Sequence, residues 1–209
     1  MKIKSVIFDN DNTLYRVPKE LYEAVINNMD KLIADYLNIS KEKASIERKN
    51  CYAFNNCRST GYGFYLKYGF NVKKFNERTY LNIAFNRYLK KDYKLVKLLE
   101  NISQRKIILT NNPKVFAEKI VSVLGIKKFF NEIFGEEDYN FNLKPKLEPY
   151  YVSLNFLKEP SENILMVEDT LENLLTAKKL GIKTALITNK KIDNVDFCLK
   201  DIYELEEFL

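Results

Sequence analysis

The stretch KSVIFDNDNTLY, residues 4–15, joins a short apolar run to a cluster of aspartate and asparagine residues. An apolar run of this length that ends in polar residues predicts a buried strand that delivers carboxylates to a loop. Similar runs recur along the chain as KIILT, NILMV and KTALIT, at residues 106–110, 163–167 and 183–188. Segments of helical periodicity separate them, and this alternation predicts an α/β fold with a parallel sheet.

Residues 16–88 do not show this alternation. They contain an apolar periodicity of helical type over 18–37, a second helical stretch over about 40–54 and a third over 72–88. Between the last two lies NCRSTGYGFYLKYGF, residues 56–70, which we expect to be a loop with at most one short helix. We therefore predict a Rossmann-like parallel-sheet core over residues 1–15 and 89–209, with residues 16–88 as an inserted helical cap.

Composition narrows the chemistry that this chain can perform. The 209 residues include no histidine, which excludes Ser–His and Cys–His mechanisms, and only three cysteines, which do not form a disulfide framework or a zinc site. The net charge of +6 suits a small anionic substrate, although a solvated lysine-rich surface explains it equally well. We expect no nucleic-acid partner, because the lysines are spread along the chain without a long uninterrupted block. We expect no membrane partner, since no apolar stretch approaches the length of a membrane span. With no signal peptide at its start, the chain is expected to be cytoplasmic.

Polar residues follow the predicted strands at the positions where open parallel sheets bind ligands. They are Asp9 and Asp11, Thr110 and Asn111, Glu168 and Asp169, with Lys144 in a loop before a helix. Clustered carboxylates repel one another and need a cation, and oxygen ligands suit Mg²⁺. A carboxylate beside a metal and a lysine can attack phosphorus, while a second aspartate acts as general acid and base. Taken one at a time, however, each of these segments is also typical of an ordinary turn or helix cap.

Taken together and in order, IFDNDNTLY, IILTNN, LKPKLEPYY and MVEDTLEN resemble the four motifs of the haloacid dehalogenase-like (HAD) superfamily. The resemblance implies that Asp9 is the nucleophile and Asp11 the general acid and base. It implies that Thr110, with Asn111, binds phosphate and that Lys144 holds nucleophile and phosphate together. The Mg²⁺ ligands it implies are Asp9, the main-chain carbonyl of Asp11, Glu168 and Asp169.

Two positions depart from the pattern of the superfamily. The third motif commonly reads Lys-Pro-x-Pro, but Leu147 stands at its second proline, so Lys146 is an alternative to Lys144 as the active-site lysine. The fourth motif has Asn173 where many members have a second aspartate, which weakens any assignment of a metal ligand there.

The stretch Asp-x-Asp-Asn-Thr-Leu-Tyr is similar to the pyrimidine 5′-nucleotidase branch of the superfamily. This similarity implies a magnesium-dependent phosphatase that hydrolyses a pyrimidine nucleoside 5′-monophosphate through an aspartyl-phosphate. Candidate cap residues for the substrate are Arg58, Ser59, Thr60, Tyr62 and Tyr65, although the tyrosines equally suit the core of the cap. The alternatives are a sugar-phosphate phosphatase or phosphoglucomutase-like enzyme, and a non-catalytic phosphate- or nucleic-acid-binding protein on the same scaffold.

Overall fold

A computed structural model describes residues 3–209 of the chain. Its six strands form a single sheet in which every neighbouring pair is parallel. The strands are β1 (Ser5–Phe8), β2 (Arg105–Leu109), β3 (Glu132–Phe134), β4 (Ile164–Glu168), β5 (Lys183–Ile187) and β6 (Phe197–Leu199). The parallel α/β sheet predicted from the alternation of apolar runs is confirmed.

The strand order is β3-β2-β1-β4-β5-β6, so the sheet is built outward in both directions from β1. Ser5 is in register with Arg105 on one side and with Ile164 on the other. In open α/β sheets the crevice for a ligand lies where the strand order reverses, outside the carboxyl ends of the strands. Here that point is between β1 and β4, which end at Phe8 and Glu168.

Eight α-helices accompany the sheet in the part of the chain that the structure describes. They are α1 (Lys19–Leu37), α2 (Lys41–Ala53), α3 (Thr60–Tyr68), α4 (Val72–Tyr80), α5 (Tyr93–Asn101), α6 (Lys114–Leu124), α7 (Leu147–Leu157) and α8 (Leu171–Lys179). Helix α6 ends at Gly125, whose φ of 77° supplies the left-handed residue that commonly terminates a helix. The main apolar core contains buried residues of the central strands, among them Ile7, Ile107 and Met166. No helix within residues 3–209 combines the length and apolar character needed to cross a bilayer.

The chain divides into two compact units, one formed by the residues up to Arg16 and from Lys90 onward, the other by Val17–Leu89. The second unit holds α1 to α4 around its own apolar cluster, which includes Ile33, Phe64 and Phe75. Helices α2 and α3 lie so close that a Cβ atom on Gly63 would be 1.8 Å from the main-chain oxygen of Cys51. A partly buried ion pair joins α1 to α2, with Arg48 Nε donating to the buried Asp30 Oδ1 at 2.7 Å.

One local prediction differs from the structure. The helix predicted over 72–88 ends at Tyr80. Ile83 and Phe85 are both buried, and side chains two positions apart point to different sides of a helix, so a continued helix would not direct both to the same side. The stretch 56–70 contains the one short helix that its prediction allowed, the nine-residue α3, which has a capping residue at its start, Ser59, and a left-handed glycine at its end, Gly69. Residues Ile202–Phe208 form a 3₁₀ helix after the last strand.

Candidate active site

Lys144 links three of the strand ends through its side chain. Its ammonium is 1% exposed and donates to Asp9 Oδ1 at 2.8 Å, to Glu168 Oε2 at 2.7 Å and to the main-chain oxygen of Leu109 at 2.7 Å. These three bonds use all the donors of an ammonium group. Asp9 itself is fixed to β4, since its main-chain N–H donates to Val167 O at 2.9 Å. The carboxyl ends of β1, β2 and β4 therefore meet at one buried cation.

Asp9, Glu168 and Lys144 shift the pKa values of one another through their charges. Burial, together with the charge of Glu168, raises the pKa of Asp9 to about 6, although the ammonium of Lys144 opposes the shift. Burial also raises the pKa of Glu168. For Lys144 burial alone would lower the pKa, but the carboxylates of Asp9 and Glu168 outweigh it and the pKa is raised. The lysine is thus held as a cation, while its partners have a reduced tendency to ionise.

Asp9, Glu168 and Asp169 form a group that can hold a metal ion. One oxygen from each carboxylate lies within 4.8 Å of the others. Three ionised carboxylates against one ammonium leave a formal charge of −2, which a divalent cation would neutralise. The donors are all oxygens, as Mg²⁺ prefers, and Asp169 is partly exposed so that water can complete the coordination. The side chain of Asp11 is not in this group, and the predicted contact through its main-chain carbonyl stays a prediction.

The carboxylate of Asp11 is held by three donors. Tyr15 Oη and Asn10 Nδ2 donate to Oδ1 at 2.7 and 2.9 Å, and Asn112 Nδ2 donates to Oδ2 at 2.8 Å. Burial raises the pKa of Asp11 to about 7, against the effect of these hydrogen bonds. A carboxyl group with a pKa near neutrality exchanges a proton readily at physiological pH, as a general acid and base must.

Thr110 and Asn111 follow β2 and meet different partners. Thr110 is 1% exposed, and its hydroxyl accepts from the main-chain N–H of Asn112 at 3.2 Å. The amide of Asn111 is bound to the main chain of Lys144, donating to its oxygen at 3.0 Å and accepting from its N–H at 2.8 Å. The structure thus brings both residues to the strand ends, but it places the Asn111 side chain against Lys144.

Lys146, the alternative lysine, lies on the surface. It is exposed, and its ammonium donates to Asn142 Oδ1 at 3.3 Å. Lys144 and not Lys146 is the lysine next to Asp9 and Glu168. Asn173 is outside the acidic group, and its main-chain oxygen accepts from Tyr150 Oη at 2.7 Å.

The candidate substrate residues of the cap all lie in the unit Val17–Leu89. Ser59 caps α3, its hydroxyl accepting from the main-chain N–H of Tyr62 at 3.3 Å, and Thr60 is buried in the first turn. Arg58 is exposed and has a φ of 56°. The rings of Tyr62 and Tyr65 stack with their centroids 6.1 Å apart. Ser59 therefore has a structural role, and substrate binding by this group stays a prediction.

Sequence reasoning did not single out Tyr15 or Asn112, the two residues beyond Asn10 that hold Asp11. Both stand inside the motif stretches, Tyr15 four residues after Asp11 and Asn112 two after Thr110. A polar side chain in a loop that follows a buried strand needs a partner, and this was the available signal. The partner of Asn112 could not be inferred, since 101 residues separate it from Asp11.

Curated proteins of similar sequence are phosphatases by name. The chain is 32% identical over 95 residues to the pyrophosphatase PpaX of Halalkalibacterium halodurans, which covers 46% of this chain and 44% of that protein. It is 29% identical over 111 residues to a phosphoglycolate phosphatase of Vibrio parahaemolyticus, covering 48% and 46%. These two matches each span less than half the length of the relative, whereas a putative pyrophosphatase PpaX of Caldanaerobacter subterraneus aligns at 20% identity over 98% of this chain and 94% of its own length.

The fold also has close parallels among solved structures. A HAD phosphatase from Thermococcus onnurineus superposes with a TM-score of 0.72 at 20% identity, over 99% of this chain and 97% of that one. The sequence profile described as haloacid dehalogenase-like hydrolase matches residues 6–187. That match runs from β1 to the end of β5 and includes all four strand-end segments, so the chain belongs to the haloacid dehalogenase-like hydrolase family.

Proposed function

We propose that this protein is a magnesium-dependent phosphatase, acting in the cytoplasm, that hydrolyses a small phosphate monoester through an aspartyl-phosphate on Asp9. The observation that carries the proposal is the placement of two carboxylates on one loop in different settings. Asp9 is bound to the buried ammonium of Lys144, whereas Asp11 is held by neutral donors and has a pKa of about 7. Two carboxyl groups whose environments differ in this way are typical of a nucleophile paired with a general acid and base.

In the first step, a carboxylate oxygen of Asp9 forms a bond to phosphorus as the bond from phosphorus to the leaving oxygen breaks. Protonated Asp11 gives its proton to that leaving oxygen, so that the product departs as an alcohol. The ammonium of Lys144 and the hydroxyl of Thr110 offset the negative charge on the transferring phosphoryl group. Asp9 is then an acyl phosphate and Asp11 is ionised.

In the second step, water attacks phosphorus and the bond between phosphorus and Asp9 breaks, which releases inorganic phosphate. Ionised Asp11 takes the proton of the attacking water and returns to its starting state. The same carboxyl group thus acts first as an acid and then as a base. With no histidine in the chain, a carboxyl group with a pKa near 7 is well suited to carry this proton.

The metal that this proposal requires would be held by Asp9, Glu168 and Asp169. When bound, Mg²⁺ would neutralise charge that builds up on the phosphoryl oxygens.

The test of the mechanism is the substitution Asp9→Asn, which keeps the shape of the side chain and removes the nucleophile. Turnover of p-nitrophenyl phosphate with Mg²⁺ is expected to fall by at least about 10⁴-fold, with the circular dichroism spectrum unchanged. Rapid quenching of the wild-type enzyme should trap one phosphoryl group on the peptide that contains Asp9. A folded Asp9→Asn variant with near-wild-type turnover would refute the assignment.

For the substrate we propose a pyrimidine nucleoside 5′-monophosphate, on the similarity of residues 9–15 to that branch of the superfamily. The names of the curated relatives favour two other substrates, pyrophosphate and phosphoglycolate. A panel of UMP, CMP, phosphoglycolate, pyrophosphate and a hexose phosphate separates them by kcat/KM, the quantity in which discrimination is expressed. Highest kcat/KM for UMP or CMP supports the nucleotidase proposal, and highest kcat/KM for another member of the panel replaces it. Binding of these ligands without turnover of any would favour the non-catalytic alternative.

A further inference from the structure

Two adjacent asparagines after β2 make hydrogen bonds to two different residues of the site. Asn111 contacts the main chain of Lys144, and Asn112 contacts the side chain of Asp11. Neither contact is local, because 33 and 101 residues separate the partners. One short loop thus connects the lysine of the site to its second aspartate.

The contact of Asn111 with Lys144 is a closed pair of hydrogen bonds. Its Oδ1 accepts from the main-chain N–H of Lys144 at 2.8 Å, and its Nδ2 donates to the main-chain oxygen of the same residue at 3.0 Å. Lys144 lies outside every helix and strand, so its buried main-chain groups have no partner from regular structure. The amide supplies both partners and fixes the position from which the lysine side chain extends to Asp9.

The contact of Asn112 with Asp11 completes the set of donors around that carboxylate. Tyr15 and Asn10 both donate to Oδ1, and Asn112 is the residue that donates to Oδ2. The loop is itself anchored, since the main-chain N–H of Asn112 donates to Thr110 Oγ1 and its oxygen accepts from Glu136 N at 3.1 Å. Without the amide of Asn112, the Asp11 carboxyl group could rotate about its last side-chain bond.

We propose that Asn111 and Asn112 are positioning residues with separate duties, Asn111 for the lysine and Asn112 for the general acid and base. This inference rests on the proposed phosphatase function. It gives the Asn111 side chain a different role from the phosphate binding that the family resemblance implies. The two residues should therefore produce different defects when their amides are removed.

The kinetic test compares two substrates whose leaving groups differ in their need for a proton. The leaving group of p-nitrophenyl phosphate, p-nitrophenolate, departs readily without protonation, whereas the alkoxide of β-glycerol phosphate needs a proton from the acid. Asn112→Ala should lower kcat/KM for β-glycerol phosphate by about 10–100-fold and should lower it much less for p-nitrophenyl phosphate. Asn111→Ala should lower kcat/KM for both substrates by a similar factor, because the lysine serves the phosphoryl group in either case. The matched control is Asn142→Ala, because the Asn142 side chain accepts from the exposed Lys146, and it should leave both values unchanged.

A second measurement does not depend on turnover. Hydrogen exchange of the peptide over residues 142–146 should be at least about tenfold faster in Asn111→Ala, because the Lys144 amide loses its acceptor. It should stay at the wild-type rate in Asn112→Ala. Asn111→Asp, which keeps an acceptor for the main-chain N–H of Lys144, should show the same pattern as Asn111→Ala with a smaller change.

The outcomes separate this inference from the proposed function. Wild-type exchange over 142–146 in folded Asn111→Ala, or equal losses on both substrates in Asn112→Ala, would overturn the positioning roles. Activity that survives in Asp9→Asn would instead refute the phosphatase mechanism, while the exchange result would still decide whether Asn111 holds Lys144.

Discussion

At the scale of single residues, Lys144 is the side chain on which most of the site depends. It is nearly fully buried, it neutralises two carboxylates, and its main chain is held by Asn111. Removing one partner of a buried ion pair leaves an uncompensated charge, which costs far more than loss of a surface pair. Lys146, two residues away and exposed, offers a comparison within the same loop.

We expect Lys144→Met to destabilise the protein by about 3–5 kcal/mol, because it leaves the buried carboxyl groups of Asp9 and Glu168 without their cation. Lys146→Met should change stability by less than about 0.5 kcal/mol, as is usual for surface substitutions. Turnover of p-nitrophenyl phosphate should fall by at least about 10²-fold in the first variant and stay near wild type in the second. Urea unfolding and steady-state kinetics measure the two effects. Similar losses in both variants would contradict the assignment of Lys144.

At the scale of elements, strands were easier to predict than the ends of helices. Apolar runs such as KIILT mark buried strands directly, and the polar residues after them mark the strand ends at which the site forms. The end of α4 was not predictable in this way, because it depends on the burial of Ile83 and Phe85 in their own unit. The contacts of Asn111 and Asn112 are set by the sheet, which brings distant loops together after the strands pair. The sequence shows where such residues stand in the chain, but it does not show which residues their side chains contact.

The contact between α2 and α3 gives a prediction for the unit Val17–Leu89. A Cβ atom at Gly63 would overlap the main-chain oxygen of Cys51, and a backbone atom cannot move aside as a flexible side chain can. Gly63→Ala should therefore destabilise this unit by about 1–3 kcal/mol or more, as overpacking does. The matched control is Gly69→Ala, where nothing lies within 4 Å and only the φ of 71° opposes the change, at a cost of about 1 kcal/mol. Equal thermal stability of the two variants would show that the helices separate easily.

At the scale of the whole molecule, the site makes stability depend on pH in an unusual direction. A carboxyl group whose pKa is raised on folding binds its proton more tightly in the folded state, so the folded state loses stability as pH rises through that pKa. The pKa values of Asp9 and Asp11 are raised to about 6 and about 7. Since the chain has no histidine, no histidine titration obscures this range.

In EDTA we expect the free energy of unfolding to fall by about 2–4 kcal/mol between pH 5 and pH 8. At lower pH we expect stability to fall on acidification instead. Lys67 and other donors hold the pKa of Glu47 at about 2 against its burial, and the stabilisation by this ionised carboxylate is lost as the pH falls towards that value. Mg²⁺ should raise stability more at pH 8 than at pH 5, because its carboxylate ligands must be ionised. Urea unfolding followed by circular dichroism suits a chain without tryptophan. Stability that increases from pH 5 to pH 8 in EDTA would contradict the pKa shifts.

The position of β1 between β2 and β4 has a consequence for the way the protein is made. Ser5–Phe8 leaves the ribosome before either of its partner strands, and one of these two strands ends only at Glu168. At a synthesis rate of about 5–20 residues per second, β1 has at least one unpaired edge for several seconds or longer, until both β2 and β4 have been made. The intervening unit, Val17–Leu89, is complete in sequence long before that and can fold during the delay. Nascent chains halted before residue 164 should therefore contain a folded helical unit beside an unfinished sheet, and no catalytic centre.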